Sequence, residues 1–168
     1  EATGGEAMTG RIGGPFLNGT TNATLLPVVN SAPLQTGTNN VTVNGLGTVT
    51  FTAANTYSGT TTVNNGRLLL SGVNATLGSA AAGTEVKSGA TLALQGGVAV
   101  ANEALTLDGT GAASQLGALV NLSGDNSIAA SSTIAARAVS LGEVRIASVA
   151  DTLTIDANIH LESSRLSA

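Results

Sequence analysis

The chain has 168 residues, of which 42% are apolar, 10% charged and 2% aromatic, with a net charge of −4 and a pI near 4.7. Ample Val, Ile and Leu with so little charge exclude a disordered chain, and a single lysine with no polar helical stripe excludes a helical bundle. The six cations are scattered, so no basic patch forms for nucleic acid, and the absence of cysteine removes disulfides and thiolate metal sites.

Taken in chain order, residues 1–38 hold all three prolines, Pro15, Pro27 and Pro33, and proline is confined to edges, bends and loops of a sheet. They are expected to form an irregular N-terminal segment or an interface arm. "EATGGEAMTG" has neither a basic nor a hydrophobic leader region, so the chain reads as processed or as an interior piece of a longer one. No apolar run approaches the ~18 residues of a membrane-spanning helix.

From residue 39 the hydropathy period is two. Strands are predicted within 39–45, 48–53, 60–66, 67–72, 85–89, 91–96, 98–102, 104–109, 118–124, 132–136, 143–148, 151–157 and 158–163, each bounded by Gly, Asn, Asp or Ser. Several close on a polar residue and glycine, and the phrases "VTVNG", "LLLSG", "LALQG" and "VNLSG" place Gly45, Gly72, Gly96 and Gly124 at steps of 27, 24 and 28 residues. A period of this length marks a solenoid, with one supersecondary unit per repeat.

An antiparallel sandwich with hairpins at turns such as Asn65-Gly66 is the competing all-β architecture. The period, the small core residues and the Gly/Asn punctuation within each repeat favour the solenoid. With Phe16, Phe51 and Tyr57 the only aromatics, its interior is expected to be narrow and filled by Val, Leu, Ile, Ala and Thr. Residues 39–168 then make about five coils, which at ~4.8 Å per coil give a rod of roughly 25 Å.

At residues 48–72, "TVTFTAANTYSGTTTVNNGRLLLSG" closely resembles the autotransporter-associated β-strand repeat, found in passenger domains of bacterial autotransporters and other large surface proteins. The matching residues are Asn55, Thr56, Tyr57, Gly59, Thr61, Thr62, Val63, Gly66, Leu68 and Leu70. Weaker likeness at 86–94, 117–134 and 151–159 extends it over about residues 42–159. The resemblance implies a right-handed parallel β-helix, secreted and exposed at the bacterial cell surface, with no catalytic residues to carry over. It gives Tyr57 the task of covering a corner of the rod and Asn55 that of satisfying turn amides, while Thr60, Thr61 and Thr62 stiffen a strand.

Residues able to do chemistry are few. Asp125 in "SGDNS" reads as a turn cap, since a serine-protease motif would need Gly-Asp-Ser-Gly. His160, the one histidine, alternates with Ile159 and Leu161 and is expected to face solvent, which leaves a Ser-His-Asp triad without a base. "LDGTG" at 107–111 is the nearest fragment to a calcium-binding solenoid turn and is not repeated. Stacked carboxylates that cleave acidic polysaccharides would draw on Asp108, Asp125, Asp151 and Asp156, but nothing in the sequence sets them beside Arg137 or Arg145. No catalytic, cofactor-binding or metal residue is therefore assigned, and no cofactor.

The expectation is a structural, non-enzymatic β-solenoid segment: a rigid stalk, an adhesin body or a stacked filament protomer. "NIHLESSRLSA" shows no polar cap, so either more chain follows or subunits self-associate by end-to-end β-stacking. The alternatives are an adhesive module recognising a glycan or a host protein through loops 9–38 or 73–84, and, less favoured, a polysaccharide-cleaving enzyme.

Overall fold

The computed structural model describes residues 7–12, 23–30, 33–34, 37–38, 40–79, 82–137 and 142–162. Among them there is no helix. Sixteen strands follow one another: β1 (Ala7–Ile12), β2 (Ala23–Asn30), β3 (Val41–Val43), β4 (Thr48–Phe51), β5 (Thr61–Val63), β6 (Gly66–Ser71), β7 (Thr84–Val86), β8 (Ala90–Gln95), β9 (Ala99–Val100), β10 (Ala104–Asp108), β11 (Leu119–Ser123), β12 (Asn126–Ile128), β13 (Thr133–Arg137), β14 (Ile146–Ser148), β15 (Leu153–Ile155) and β16 (Asn158–Glu162).

Every pairing is parallel, and sequence neighbours are not hairpin partners. The chain is a β-solenoid, as the period of the sequence predicts. Its first side stacks β3, β5, β7, β10, β13 and β16; its second stacks β4, β6, β8, β11 and β14. The first side is revisited from Val41 at Thr61, Thr84, Leu105, Ile134 and Ile159, so the number of coils is close to the five expected. A third side carries strands only from the middle of the rod onward, as β9, β12 and β15.

Two described stretches before residue 39, β1 and β2, enter this ladder. Within β2, Ala23–Leu25 pairs with β3 and Val28–Asn30 with β4, so one bent strand serves both sides. Pro27 falls between the two paired halves, where its missing N–H interrupts no ladder bond. β1 in turn pairs with β2, with a register shift between Met8 and Gly10. Parallel stacking thus begins before residue 39. The rest of the segment expected to be irregular lies mostly outside the described residues, as do residues 163–168.

The period-two pattern becomes a narrow core because alternate residues point inward. On the second side the inward columns run Val49, Leu68, Leu92, Leu119, Ile146 and Phe51, Leu70, Leu94, Asn121, Ser148. On the first side Val43, Val63, Val86 and Leu107 are all buried. Aliphatic residues of similar size, stacked one per coil, fill most of the interior, with Phe51 and Tyr57 the two buried aromatic rings.

The glycine period needs one correction. Val43 registers with Val63, so Gly45 follows a first-side strand and its register counterpart is Asn65. Gly72, Gly96 and Gly124 close second-side strands and do form one column, with Gly72 N–H donating to Gln95 O (2.8 Å) and Gly96 N–H to Ser123 O (2.9 Å). The step from Gly45 to Gly72 therefore joined two different corners. All three have positive φ, and at Gly124 (φ +80°) space is short as well, since a Cβ there would sit 3.0 Å from Gly96 Cα.

Candidate functional site

Polar side chains of this rod fall into three sets. The first lies on the outside of the first side. Asn64 Nδ2 donates to Asn44 Oδ1 (2.9 Å), and Lys87, Asp108, Arg137 and Glu162 continue the same column with alternating sign. Arg137 Nε donates to Glu162 Oε2 at 2.8 Å and NH1 lies 3.7 Å from Glu85, which also pairs with Lys87. The Glu162 bond and charge, with smaller contributions from Glu85 and Asp108, hold the Arg137 guanidinium above its ordinary pKa. Sequence reasoning set no carboxylate beside Arg137. Stacking register supplies the contact, because residues 25 to 29 apart in the chain become neighbours.

The second set caps the corners between the second and third sides. Asp125 Oδ1 accepts from Thr152 N–H (3.1 Å) and Asp151 Oδ2 from Gly124 N–H (2.6 Å), so each aspartate ties down the other's coil. Asp151 adopts φ +60°, a left-handed conformation that Asp tolerates at turns. Behind this corner, buried Asn121 and Asn126 bond to each other, and Asn126 Oδ1 accepts from Val98 N–H (2.6 Å). Asn121 Nδ2 reaches forward to Ser148 Oγ (3.0 Å) and Ala150 O (2.8 Å). Asp125 sits at a turn, as the sequence reading has it. Its bond goes to the next coil rather than to its own turn.

The third set is internal, and of its members the sequence reading assigns a bonding role to Asn55 alone. Asn55 Oδ1 accepts from Leu34 N–H (2.8 Å) in the preceding coil, and its Nδ2 donates to Thr76 O (2.6 Å) in the following one. That bears out its expected service to backbone amides. Tyr57 does not cover a corner: it is fully buried, the largest side chain of the core. Its hydroxyl lies 2.6 Å from Thr61 Oγ1, which also donates to Leu77 O (3.2 Å). Burial pushes the Tyr57 pKa well up, so it stays neutral. Gly78, at φ +110°, leaves room for the ring, since a Cβ there would lie 2.7 Å from Tyr57 Cε2.

One coil on, the next inward threonine repeats the arrangement. Thr84 Oγ1 donates to Glu103 Oε1 (2.7 Å), and Glu103 is 5% exposed. Burial pushes its carboxyl up to about 6, against a smaller opposing effect of the Thr84 bond. Thr61 read in the sequence only as a strand residue, and Thr84 lay just outside the strand expected at 85–89. The signal available was their place on the inward side of the alternation, where a hydroxyl needs a buried partner.

The remaining candidates are dispersed. Asp108 lies in the outer column, Asp125 and Asp151 at the corner, and Asp156 is exposed, with its amide on Ile128 O. Arg145 Nε donates to Glu143 Oε1 (2.6 Å). His160 is exposed on β16, but so are its neighbours Ile159 (48%) and Leu161 (85%). Its strand has nothing described beyond it to cover the inward positions. "LDGTG" leads into a loop folded over the outside of β8, where Thr91 Oγ1 donates to Gly117 O (2.8 Å) and accepts from Ala112 N–H (2.9 Å). Among the described residues no three His, Asp or Glu side chains gather as a metal site would require.

Fold and side chains together define a parallel β-solenoid of degenerate repeats, in which polar groups join one coil to the next. A family model for the passenger-associated-transport-repeat matches residues 41–70, so the coil carrying Asn55 and Tyr57 is such a repeat, as its resemblance to the autotransporter repeat implied. No curated protein and no solved structure matches the chain.

Proposed function

We propose that this chain is a structural segment of a secreted passenger exposed at the bacterial surface, and that it acts as a rigid, non-enzymatic stalk. The observation that carries the reading is the uninterrupted parallel ladder of the first and second sides, with a passenger-type repeat set within it. Such a ladder resists bending because each coil is bonded along its length to the next. Even the charged and amide side chains are engaged mainly with adjacent coils.

The reading extends to the end of the stack. Among the described residues, β14, β15 and β16 each pair on one side alone. Val144, Ile146, Ile159 and Leu161 line an apolar hollow of about 430 Å³ there, and these positions continue columns that are buried further up. This end is read as the bed for a further β-layer, either a following coil or a second copy stacked head to tail.

Electron microscopy and analytical ultracentrifugation of the 168-residue chain across a concentration series test the proposal. Straight, thin rods are expected, and their lengthening with concentration would assign stacking between copies. Leu161→Lys should suppress that growth without unfolding the rod. Compact, non-elongated particles would defeat the stalk reading, and so would turnover of an acidic polysaccharide that is lost in Asp125→Ala or Asp151→Ala.

A further inference from the structure

The third side changes character in mid-rod, and the change leaves a seam. In the early coils this side is irregular but cross-linked: Thr56 N–H donates to Leu34 O (3.1 Å), Thr76 N–H to Ala53 O (3.3 Å) and Ser79 N–H to Tyr57 O (2.7 Å). In the later coils it is regular, with β9, β12 and β15 in register. Between the two kinds, among the described residues, no backbone hydrogen bond runs from residues 73–79 to residues 98–103.

The backbone of the seam's lower lip is tied downward, and the bond from Thr84 Oγ1 to the Glu103 side chain is its link to the coil above. Asn102 N–H donates to Ser131 Oγ (3.1 Å), Glu103 N–H to Ser132 Oγ (3.0 Å), and Glu103 O accepts from Thr133 N–H (2.9 Å). A cavity of about 100 Å³ occupies the gap, walled by Leu70, Ala75, Leu77, Val100 and, at its polar end, Glu103.

We propose that Glu103 is a protonation latch for this seam: its neutral form lets the third side close over the cavity, and its ionised form drives the side to open toward water. Glu103 is a buried residue beside aliphatic walls, and among the described residues one side-chain donor, Thr84, reaches its carboxylate; that single bond cannot compensate the lost hydration of a full charge. Nothing nearby shares the task. Residues 75–79 and 98–101 contain no ionisable side chain. Tyr57 stays neutral, while Glu85, Lys87 and Arg137 form their own cluster on the outer surface.

The sign follows from the raised carboxyl value. Stability of the closed seam is fully present below the ordinary value of 4.5 and is lost as pH rises through about 6. Acid therefore tightens the rod at this point, the reverse of the usual behaviour of paired surface carboxylates.

Hydrogen exchange by mass spectrometry on the whole chain, with rates corrected for their intrinsic pH dependence, tests the latch. Protection of residues 98–104 should fall by up to about 30-fold as pH rises across this window. Glu103→Gln should hold the protected state at every pH, and Thr84→Val should move the midpoint upward. Titration of the Glu103 side-chain carboxyl by nuclear magnetic resonance gives a second readout that needs no variant. The latch is overturned if seam protection in the unmodified chain is independent of pH, if Glu103→Gln keeps the same dependence, or if the carboxyl titrates at its ordinary value.

Discussion

Asn55 links three coils with one side chain. Its carbonyl oxygen serves the amide of Leu34, its amide serves the carbonyl of Thr76, and its own backbone N–H donates to Thr76 Oγ1 at 2.8 Å. The third side has no strands at this level, so these bonds stand in for a missing ladder. Asn55→Ala would leave a buried donor and a buried acceptor unpaired, at a cost of about 2–4 kcal/mol. Asn55→Asp would keep the acceptor for Leu34 but face Thr76 O with a carboxylate, and should be no better tolerated. Urea unfolding followed by circular dichroism checks both variants, and wild-type midpoints would remove Asn55 from the set of coil linkers. By contrast, Tyr57→Phe keeps the ring and loses one hydroxyl contact, so a loss of about 1 kcal/mol is expected in the same measurement.

Strands are where the sequence was most legible. Thirteen were anticipated from 39 onward, and each overlaps an observed strand; β12 was missed, because "NSI" is too short to show alternation. β1 and β2 were missed for a different reason. Three prolines argued for irregular chain, whereas Pro27 sits at the bend of a strand whose two halves pair with different neighbours. The outer column and the internal Thr–Glu contact could not be read, since each joins residues on different coils and depends on loop lengths that vary.

The two kinds of column differ in energetic weight. Leu92→Ala, in the second-side core, should cost about 2–5 kcal/mol. Arg137→Ala, which removes a partly exposed ion pair to Glu162, should cost less than about 1 kcal/mol, and less again at high salt. Thermal melts at two salt concentrations separate these outcomes. A larger loss for Arg137→Ala than for Leu92→Ala would mean that the charged column, rather than the aliphatic one, holds the rod together.

Over the whole molecule, a solenoid distributes stability along one axis, because each coil touches only the coils beside it. Interior coils are covered on both sides, and Leu68, Leu92, Leu105, Leu119 and Ile128 are all fully or almost fully buried. In the last coil the equivalent inward positions lose that cover: Ile146, Leu153 and Ile155 are only partly buried, and Ile159 and Leu161 are exposed. Amide protection should therefore be highest in β5 to β8 and β10 to β12, interrupted at the seam beside β9, and should decline through β14, β15 and β16. Ile159→Ala should change overall stability by less than about 1 kcal/mol, far below the cost of the same truncation at Ile128 or Ile134. If a further β-layer docks on this end, protection of β14 to β16 should rise to that of the interior, and Ile159→Ala should become as costly as its interior counterparts. A uniform exchange profile in the isolated, monomeric chain would contradict nearest-neighbour stacking as the source of its stability, whatever the geometry of its strands.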